Sequence, residues 1–363
     1  MENKKYNKKI VITGYYGMSN YGDDLFGVLS FLYLSEHYKS VRVSSCNIKT
    51  DFDVEYFRIP FVTSRIGRVD KFGKCARVVQ NIVSAMWCNK YVLAGGSNLS
   101  YNSSLLHRKI PFYIKKYIKN ISYNGVGLSF GPFKNHKQEL EYCNIVNSFD
   151  SFIVRDNQSL VESKSLNVRN AALAFDLAVL GCEYFGVVSR PSRSRVVLGI
   201  SLCHGITHEE IEQIADFLNN NINVEPRIFV LNFHEKLGDW GLSIYLQSKL
   251  DSEAKIVSAE ELSVENIWRE IGSCDRFFSV RLHGAITAFC NDVPFVLYEY
   301  QQKCTDFINT ISQPEHLRIG SDSCGMKNVL TSLINENNAS EVINRNVFLE
   351  KLKDKLKNSF LLE

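Results

Sequence analysis

The chain has 363 residues, 45% hydrophobic and 22% charged, which excludes wholesale disorder and leaves room for two domains with separate cores. Basic residues number 42 against 39 acidic ones, a net charge of only +3, so binding of nucleic acid through a large basic field is excluded. Ten cysteines are scattered with no CxxC pair and no Cys/His cluster at zinc-ligand spacing, so a reducing cytoplasm and no metal are expected.

Lys4, Lys5, Lys8 and Lys9 precede Ile10-Val11-Ile12, but the apolar run stops at Thr13-Gly14, too short for a secretory signal. No apolar run reaches the roughly 18 residues that a membrane-spanning helix needs. Lys9–Thr13 reads as a first strand, followed by a glycine-rich turn and a helix over Asp23–Glu36. Further strands are predicted at Val41–Ser45, Tyr91–Ala94, Tyr123–Leu128 and Ser151–Val154, with helices near Val69–Trp87, Leu105–Ile118 and Gln138–Asn147. After the polar stretch Ser189–Arg193 the alternation resumes. Strands are predicted at Val196–Leu202, Arg227–Phe233, Lys255–Val257, Arg276–Val280 and Phe295–Tyr298. Helices are predicted at His208–Asn219, Leu237–Leu250, Ala259–Ile271 and Leu282–Cys290, and the amphipathic segment Asn344–Leu362 closes the chain as another. Strand–helix alternation implies an α/β fold with parallel sheets. The expected organisation is an N-terminal Rossmann-like domain (1–186), a C-terminal Rossmann-like domain (187–340) facing it across a cleft, and a C-terminal helix (341–363).

Ligands of open parallel sheets bind beyond the carboxyl ends of the strands, and five motifs fall at such ends. Gly14-Tyr15-Tyr16-Gly17-Met18-Ser19-Asn20-Tyr21-Gly22-Asp23-Asp24 leaves a strand and opens a helix, where free N–H groups favour an anion. Its spacing is neither GxGxxG nor GxxxxGK[ST], and Asp23 and Asp24 serve equally well as helix caps. Gly95-Gly96-Ser97-Asn98 either makes room for a ligand or makes a turn; Gly125–Pro132 is compatible with close packing. Arg155-Asp156 reads as a structural pair more readily than a catalytic one. Arg281-Leu282-His283-Gly284 is the most telling motif: a largely apolar strand delivers a planar cationic fork and a titratable imidazole onto a helix start. Tyr300 and Lys303 follow the next strand, and His204, His234 and Asp239 also lie near strand ends, either as ligand-facing groups or as props of the fold. Arg108, Lys109, Lys115, Lys116 and Lys119 surround Pro111-Phe112-Tyr113 and Tyr117 with no acidic residue between; such a helix can make peripheral contact with anionic lipid, or can be a solvated face.

In their order from residue 10 to about 310, these motifs, with Asp176-Leu177-Ala178 and Val293-Pro294, resemble the polysaccharide pyruvyl transferase family. The resemblance implies a GT-B-like fold, phosphoenolpyruvate as donor with no other cofactor, and a sugar diol on a glycan, whether lipid-linked or carried otherwise, as acceptor. The product would be a pyruvate ketal. It associates Arg281 and His283 with donor binding and catalysis. The corresponding scheme has His283 as general acid and Asp23 as proton acceptor. Arg281, Leu282, Gly284, Lys303 and Arg155 lie on the donor side, and Gly17, Asn20, Asp24, Gly95, Gly96 and Ser97 on the acceptor side. Asp24 stands where the family commonly has glutamate, and Ser97 where a third glycine is frequent. Two other readings fit the same motifs: a GT-B glycosyltransferase using a nucleotide sugar, and a glycan-binding protein without catalysis.

Overall fold

The computed structural model describes residues 5–68, 70–101, 103–234, 238–320, 325–336 and 343–360. Expectations placed on Lys4, Val69, Leu237, Cys324, 341–342 and 361–363 lie outside these residues. The chain forms two units, one of residues 1–18, 23–177 and 348–363, the other of residues 19–22 and 178–347.

The first unit contains β1 (Tyr6–Thr13), α1 (Tyr21–His37, from Asp23 on), β2 (Tyr38–Ser44), α2 (Lys71–Trp87), β3 (Lys90–Leu99) and α3 (Leu105–Tyr117). It continues through β4 (Ser122–Phe130), α4 (His136–Val146), β5 (Ser151–Val154), α5 (Asn157–Ser165) and β6 (Ala171–Leu173). Its six strands are all parallel, in the order β2-β1-β3-β4-β5-β6. Ile10, Val11 and Ile12 are wholly buried, as a parallel strand covered on both faces requires.

The second unit contains α6 (Gly181–Tyr184), β7 (Val196–Ser201), α7 (His208–Asn219), β8 (Val224–Val230), α8 (Trp240–Lys249), β9 (Lys255–Ser258) and α9 (Val264–Gly272). It ends with β10 (Arg276–Ser279), α10 (Leu282–Cys290), β11 (Phe295–Glu299), α11 (Gln302–Ile311), β12 (Arg318–Gly320) and α12 (Met326–Asn335). Its six parallel strands run β12-β11-β10-β7-β8-β9. The last helix, α13 (Arg345–Phe360), belongs from Phe348 onward to the first unit.

Several elements differ from expectation for identifiable reasons. β3 does not stop at Ala94 but runs through Gly95-Gly96-Ser97-Asn98, so these residues are a bend within the strand and not a turn after it. Both glycines have positive φ (+71° and +78°), and a Cβ on Gly95 would lie 2.3 Å from the Phe26 ring; the strand bends around that ring and re-pairs at Leu99. β8 ends at Val230 and not Phe233, because the Leu231 carbonyl accepts from Tyr21 N–H and Phe233 N–H donates to the Ser19 carbonyl. α9 starts at Val264 and not Ala259, because Ser263 caps it by accepting from Asn266 N–H. β6 and β12, three residues each, and the helices α11 and α12 were not anticipated.

The division of the chain also shifts from 186/187 to 177/178. Gly181 lies so close to Trp268 that a Cβ would be 2.4 Å from its ring, and Trp268 Nε1 donates to the Gly186 carbonyl, so this stretch packs with the second unit. The closing helix is not a separate appendage. Phe348 stacks on Phe175 at 4.2 Å, and Lys90, itself buried, sits 5.1 Å from the Phe360 ring. Phe348→Ala should therefore lower the stability of the first unit by about 3 kcal/mol in a urea titration; a loss below about 1 kcal/mol would show that α13 does not help hold this core.

Candidate functional site

The strand order of the second sheet reverses between β7 and β10, the position where open α/β sheets form a crevice. The chain leaving β7 carries Cys203 and His204, that leaving β10 carries Arg281, and that leaving β11 carries Tyr300 and Lys303.

Arg281 is the N-cap of α10, with extended backbone (φ −87°, ψ 125°), so its side chain emerges at the strand-to-helix corner. Its guanidinium grips Asp239 with two nitrogens: Nε lies 2.9 and 3.1 Å from the two carboxylate oxygens and Nη2 lies 2.5 Å from Oδ1. Asp239 is fully buried, precedes α8, and also accepts from the backbone N–H of Asn232 at 3.1 Å. Burial raises its carboxyl to about 6, with the Arg281 charge and the hydrogen bonds from Arg281 and the Asn232 N–H opposing that rise. Burial disfavours the Arg281 charge as well, but Asp239 outweighs it and holds the guanidinium above its ordinary value. The fork expected to meet a ligand thus has one edge already committed to a carboxylate.

His283 lies in the first turn of α10, and Gly22 is pressed against it: a Cβ on Gly22 would fall 1.8 Å from His283 Nδ1. Residues 19–22 are held there by the second unit. Tyr21 OH and Thr287 Oγ1 are 2.9 Å apart, and Asn20 forms an isolated bridge with Asn232. Gly284 and Leu282 have packing roles. A Cβ on Gly284 would lie 2.6 Å from Ser279 Oγ, so this glycine lets α10 sit on β10, and the Leu282 side chain is buried.

His204 is held below the ordinary imidazole range by burial and by the positive charges of Arg281 and Lys303. Its ring stands edge-on to Tyr300 at 5.9 Å. Burial raises the Cys203 thiol, opposed by Arg281, a hydrogen bond with Tyr300, and Lys303. The switch point of the second sheet therefore gathers two cations, one of them paired with the Asp239 carboxylate, with a neutral-leaning imidazole and an unionised thiol, which leaves a net positive charge to favour an anion.

In the first unit, the end of β1 gives Gly17, at φ +71°, whose N–H donates to Asp24 Oδ1 at 2.5 Å. Asp24 is buried and its carboxyl is raised to about 8, by burial first, with Gly17 N–H opposing and Asp23 adding. The Asp23 carboxylate borders Gly96, its Oδ1 3.0 Å from where a Cβ would stand. Arg155 is buried and ties strand ends together, donating to Ser129 Oγ at 2.8 Å, Asp176 Oδ2 at 3.3 Å and Ser97 Oγ at 3.4 Å. Asp156 caps α5 by accepting from Ser159 N–H. The structure thus groups Asn20, Arg281, Leu282, His283, Gly284 and Lys303 in the second unit, and Gly17, Asp23, Asp24, Gly95, Gly96, Ser97 and Arg155 in the first. Asp239, the partner of Arg281, is the residue whose place sequence reasoning left undecided; the available signal was a carboxylate just past a strand end. Among the described residues no group of three or more His, Cys, Asp or Glu side chains could hold a metal ion.

A family profile described as polysaccharide pyruvyl transferase matches residues 20–302. Comparison with curated proteins finds no significant match. Among solved structures, UDP-GlcNAc 2-epimerase from Neisseria meningitidis bound to UDP-GlcNAc is similar, with a TM-score of 0.63 at 10% identity, covering 98% of this chain and 100% of that one. The Methanocaldococcus jannaschii UDP-GlcNAc 2-epimerase, in complex with UDP-GlcNAc and UDP, gives 0.57 at 10% identity, covering 96% and 99%. Sucrose-phosphate synthase from Thermosynechococcus elongatus gives 0.55 at 8% identity, covering 98% and 95%. At such identities the likeness concerns the fold, which is GT-B-like with two Rossmann-like domains.

The raised Asp24 carboxyl has a consequence for stability. Its folded value, about 8, exceeds that of an unfolded carboxylate, so the folded state binds the extra proton between about pH 4 and 8. Stability from this group is complete at the acid end and is lost as the pH rises through the folded value. Asp24→Asn should remove that decline, gaining on the wild type steadily from pH 5 to 8 in urea titrations; parallel pH profiles for the two proteins would refute the assignment.

Proposed function

Because this chain belongs to the polysaccharide pyruvyl transferase family, we propose that it moves a pyruvyl group from phosphoenolpyruvate onto a sugar diol of a glycan, forming a ketal and releasing phosphate. The observation that carries this reading is the convergence of Arg281, Lys303 and His204 at the switch point of the second sheet, with His283 in the adjoining helix turn. Phosphoenolpyruvate is small and multiply anionic, with a carboxylate and a phosphate to be held. Arg281, aimed by Asp239, and Lys303 are the cations available to hold them.

In the proposed reaction, protonated His283 gives its proton to the donor's methylene carbon, and positive charge develops at C2. A first sugar hydroxyl adds there and gives up its proton. The bond from C2 to the phosphate oxygen then breaks, and the second hydroxyl closes the ketal ring. Of the two hydroxyl protons released, one replaces that spent on the methylene carbon and the other leaves with phosphate. Gly22 suits this role for His283, because any side chain there would displace the imidazole.

A nucleotide sugar as donor is the reading raised by the fold neighbours, two of which are described with UDP-GlcNAc. Phosphate release measured with phosphoenolpyruvate and a panel of glycan acceptors separates the two. We expect release that requires both substrates, and a fall of about 10²–10⁴-fold in His283→Gln with folding and donor binding retained. Full turnover by that variant would remove His283 from the chemistry. Nucleotide release from a nucleotide sugar, independent of phosphoenolpyruvate, would replace the whole reading.

A further inference from the structure

Helix α2 reverses the usual amphipathic arrangement, in which the apolar stripe faces the core. Its buried residues are Gly73, Ala76, Gln80, Asn81, Ser84 and Ala85, small or polar throughout. They are committed to that side: Gln80 Nε2 donates to the Phe57 carbonyl at 2.6 Å, and Asn81 Oδ1 accepts from Tyr91 OH at 3.3 Å. Gly73 lies so close to Arg68 that a Cβ would stand 2.0 Å from its carbonyl oxygen. The outward side carries Phe72, Val79, Ile82, Val83 and Met86, all exposed, Phe72 by 69%. Exposed apolar residues at helical spacing are informative in a way that single ones are not.

Helix α3 packs beside α2, and Lys119 joins them by donating to the carbonyls of Met86 and Cys88. It adds exposed Leu106, Tyr113, Tyr117 and Ile118. Charge is segregated on the same pair of helices. No Asp or Glu occurs between Asp70 and Glu139, whereas Lys71, Lys74 and Lys116 are exposed there, in a chain whose net charge is only +3. The lysine stems add apolar cover: Lys116 Nζ lies 5.0 Å from the Tyr117 ring.

We propose that this α2–α3 face of the first unit docks peripherally on an anionic lipid bilayer, the apolar stripe entering the headgroup boundary while Lys71, Lys74 and Lys116 meet lipid phosphates. Lys109 and Lys115 are paired with Glu141 and Asp150, and Asp70 caps α2. The exposed Lys71, Lys74 and Lys116 nevertheless leave an excess of positive charge, which selects this occupant over a second copy of the chain, since two-fold pairing of the face with itself would set like charges against each other. Among the described residues no helix is long and apolar enough to cross a membrane, so the contact is with the surface. The proposal is independent of the reaction assigned above.

The test is co-sedimentation of the full chain with vesicles of phosphatidylcholine alone, or of phosphatidylcholine and phosphatidylglycerol in equal parts. Binding is expected only to the anionic vesicles, falling as salt is raised. The triple variants Lys71→Gln/Lys74→Gln/Lys116→Gln and Val79→Ser/Ile82→Ser/Met86→Ser should each bind at least about tenfold more weakly, with unchanged thermal midpoints. Equal binding to both vesicle types, no binding, or variants that bind like the wild type would overturn the proposal. So would a wild-type dimer that the apolar triple variant dissociates, which would make a second copy the occupant.

Discussion

The pairing of Arg281 with Asp239 is the contact on which the second unit's site depends. A carboxylate as deeply buried as Asp239 is costly unless it is both paired and hydrogen-bonded, and removing one partner of such a pair typically costs about 3–5 kcal/mol. Asp239 has both supports, the Arg281 guanidinium and the N–H of Asn232. Asn232 in turn bridges to Asn20, and the segment from Ser19 to Gly22 delivers the glycine that accommodates the His283 ring. One connected set of backbone and side-chain contacts therefore fixes the cationic fork and the imidazole together. For the proposed donor this matters because orientation, more than charge alone, distinguishes a small polyanion from solvent ions.

The carboxylates of the first unit are built on a different principle. Asp24 is buried against the Gly17 N–H and is held protonated well into the neutral range, so it is a prop of the glycine-rich turn. Asp23, less buried, borders Gly96 and is not enclosed in the same way. Arg155 is consumed by Ser129, Asp176 and Ser97, in keeping with a structural role for the Arg-Asp motif.

Much of this was legible in the sequence, for physical reasons that also mark the limit. Buried parallel strands such as Ile10–Ile12 announce themselves by continuous apolar character, and α7 has the predicted bounds because its Thr207–Glu210 capping box and its periodicity are local. Arg281 and His283 stood out because a strand end is a local feature. Asp239 did not, because its partnership with a residue 42 positions away is made by strand order alone. Gly95 and Gly96 look the same to sequence reasoning whether they form a turn or a bend; only Phe26, brought by α1, decides. Likewise, the helical period around Val79 and Ile82 is evident, but which side faces the core is set by the polar anchors Gln80 and Asn81.

The most direct measurement of the central claim is isothermal titration of phosphoenolpyruvate into the wild type and a folded Asp239→Asn variant. If Asp239 serves to aim Arg281 at the donor, affinity should fall about tenfold or more, some 1.4 kcal/mol. If the carboxylate merely neutralises a charge that would otherwise bind anions, the variant will bind phosphoenolpyruvate as tightly as the wild type or more so, and the account is contradicted.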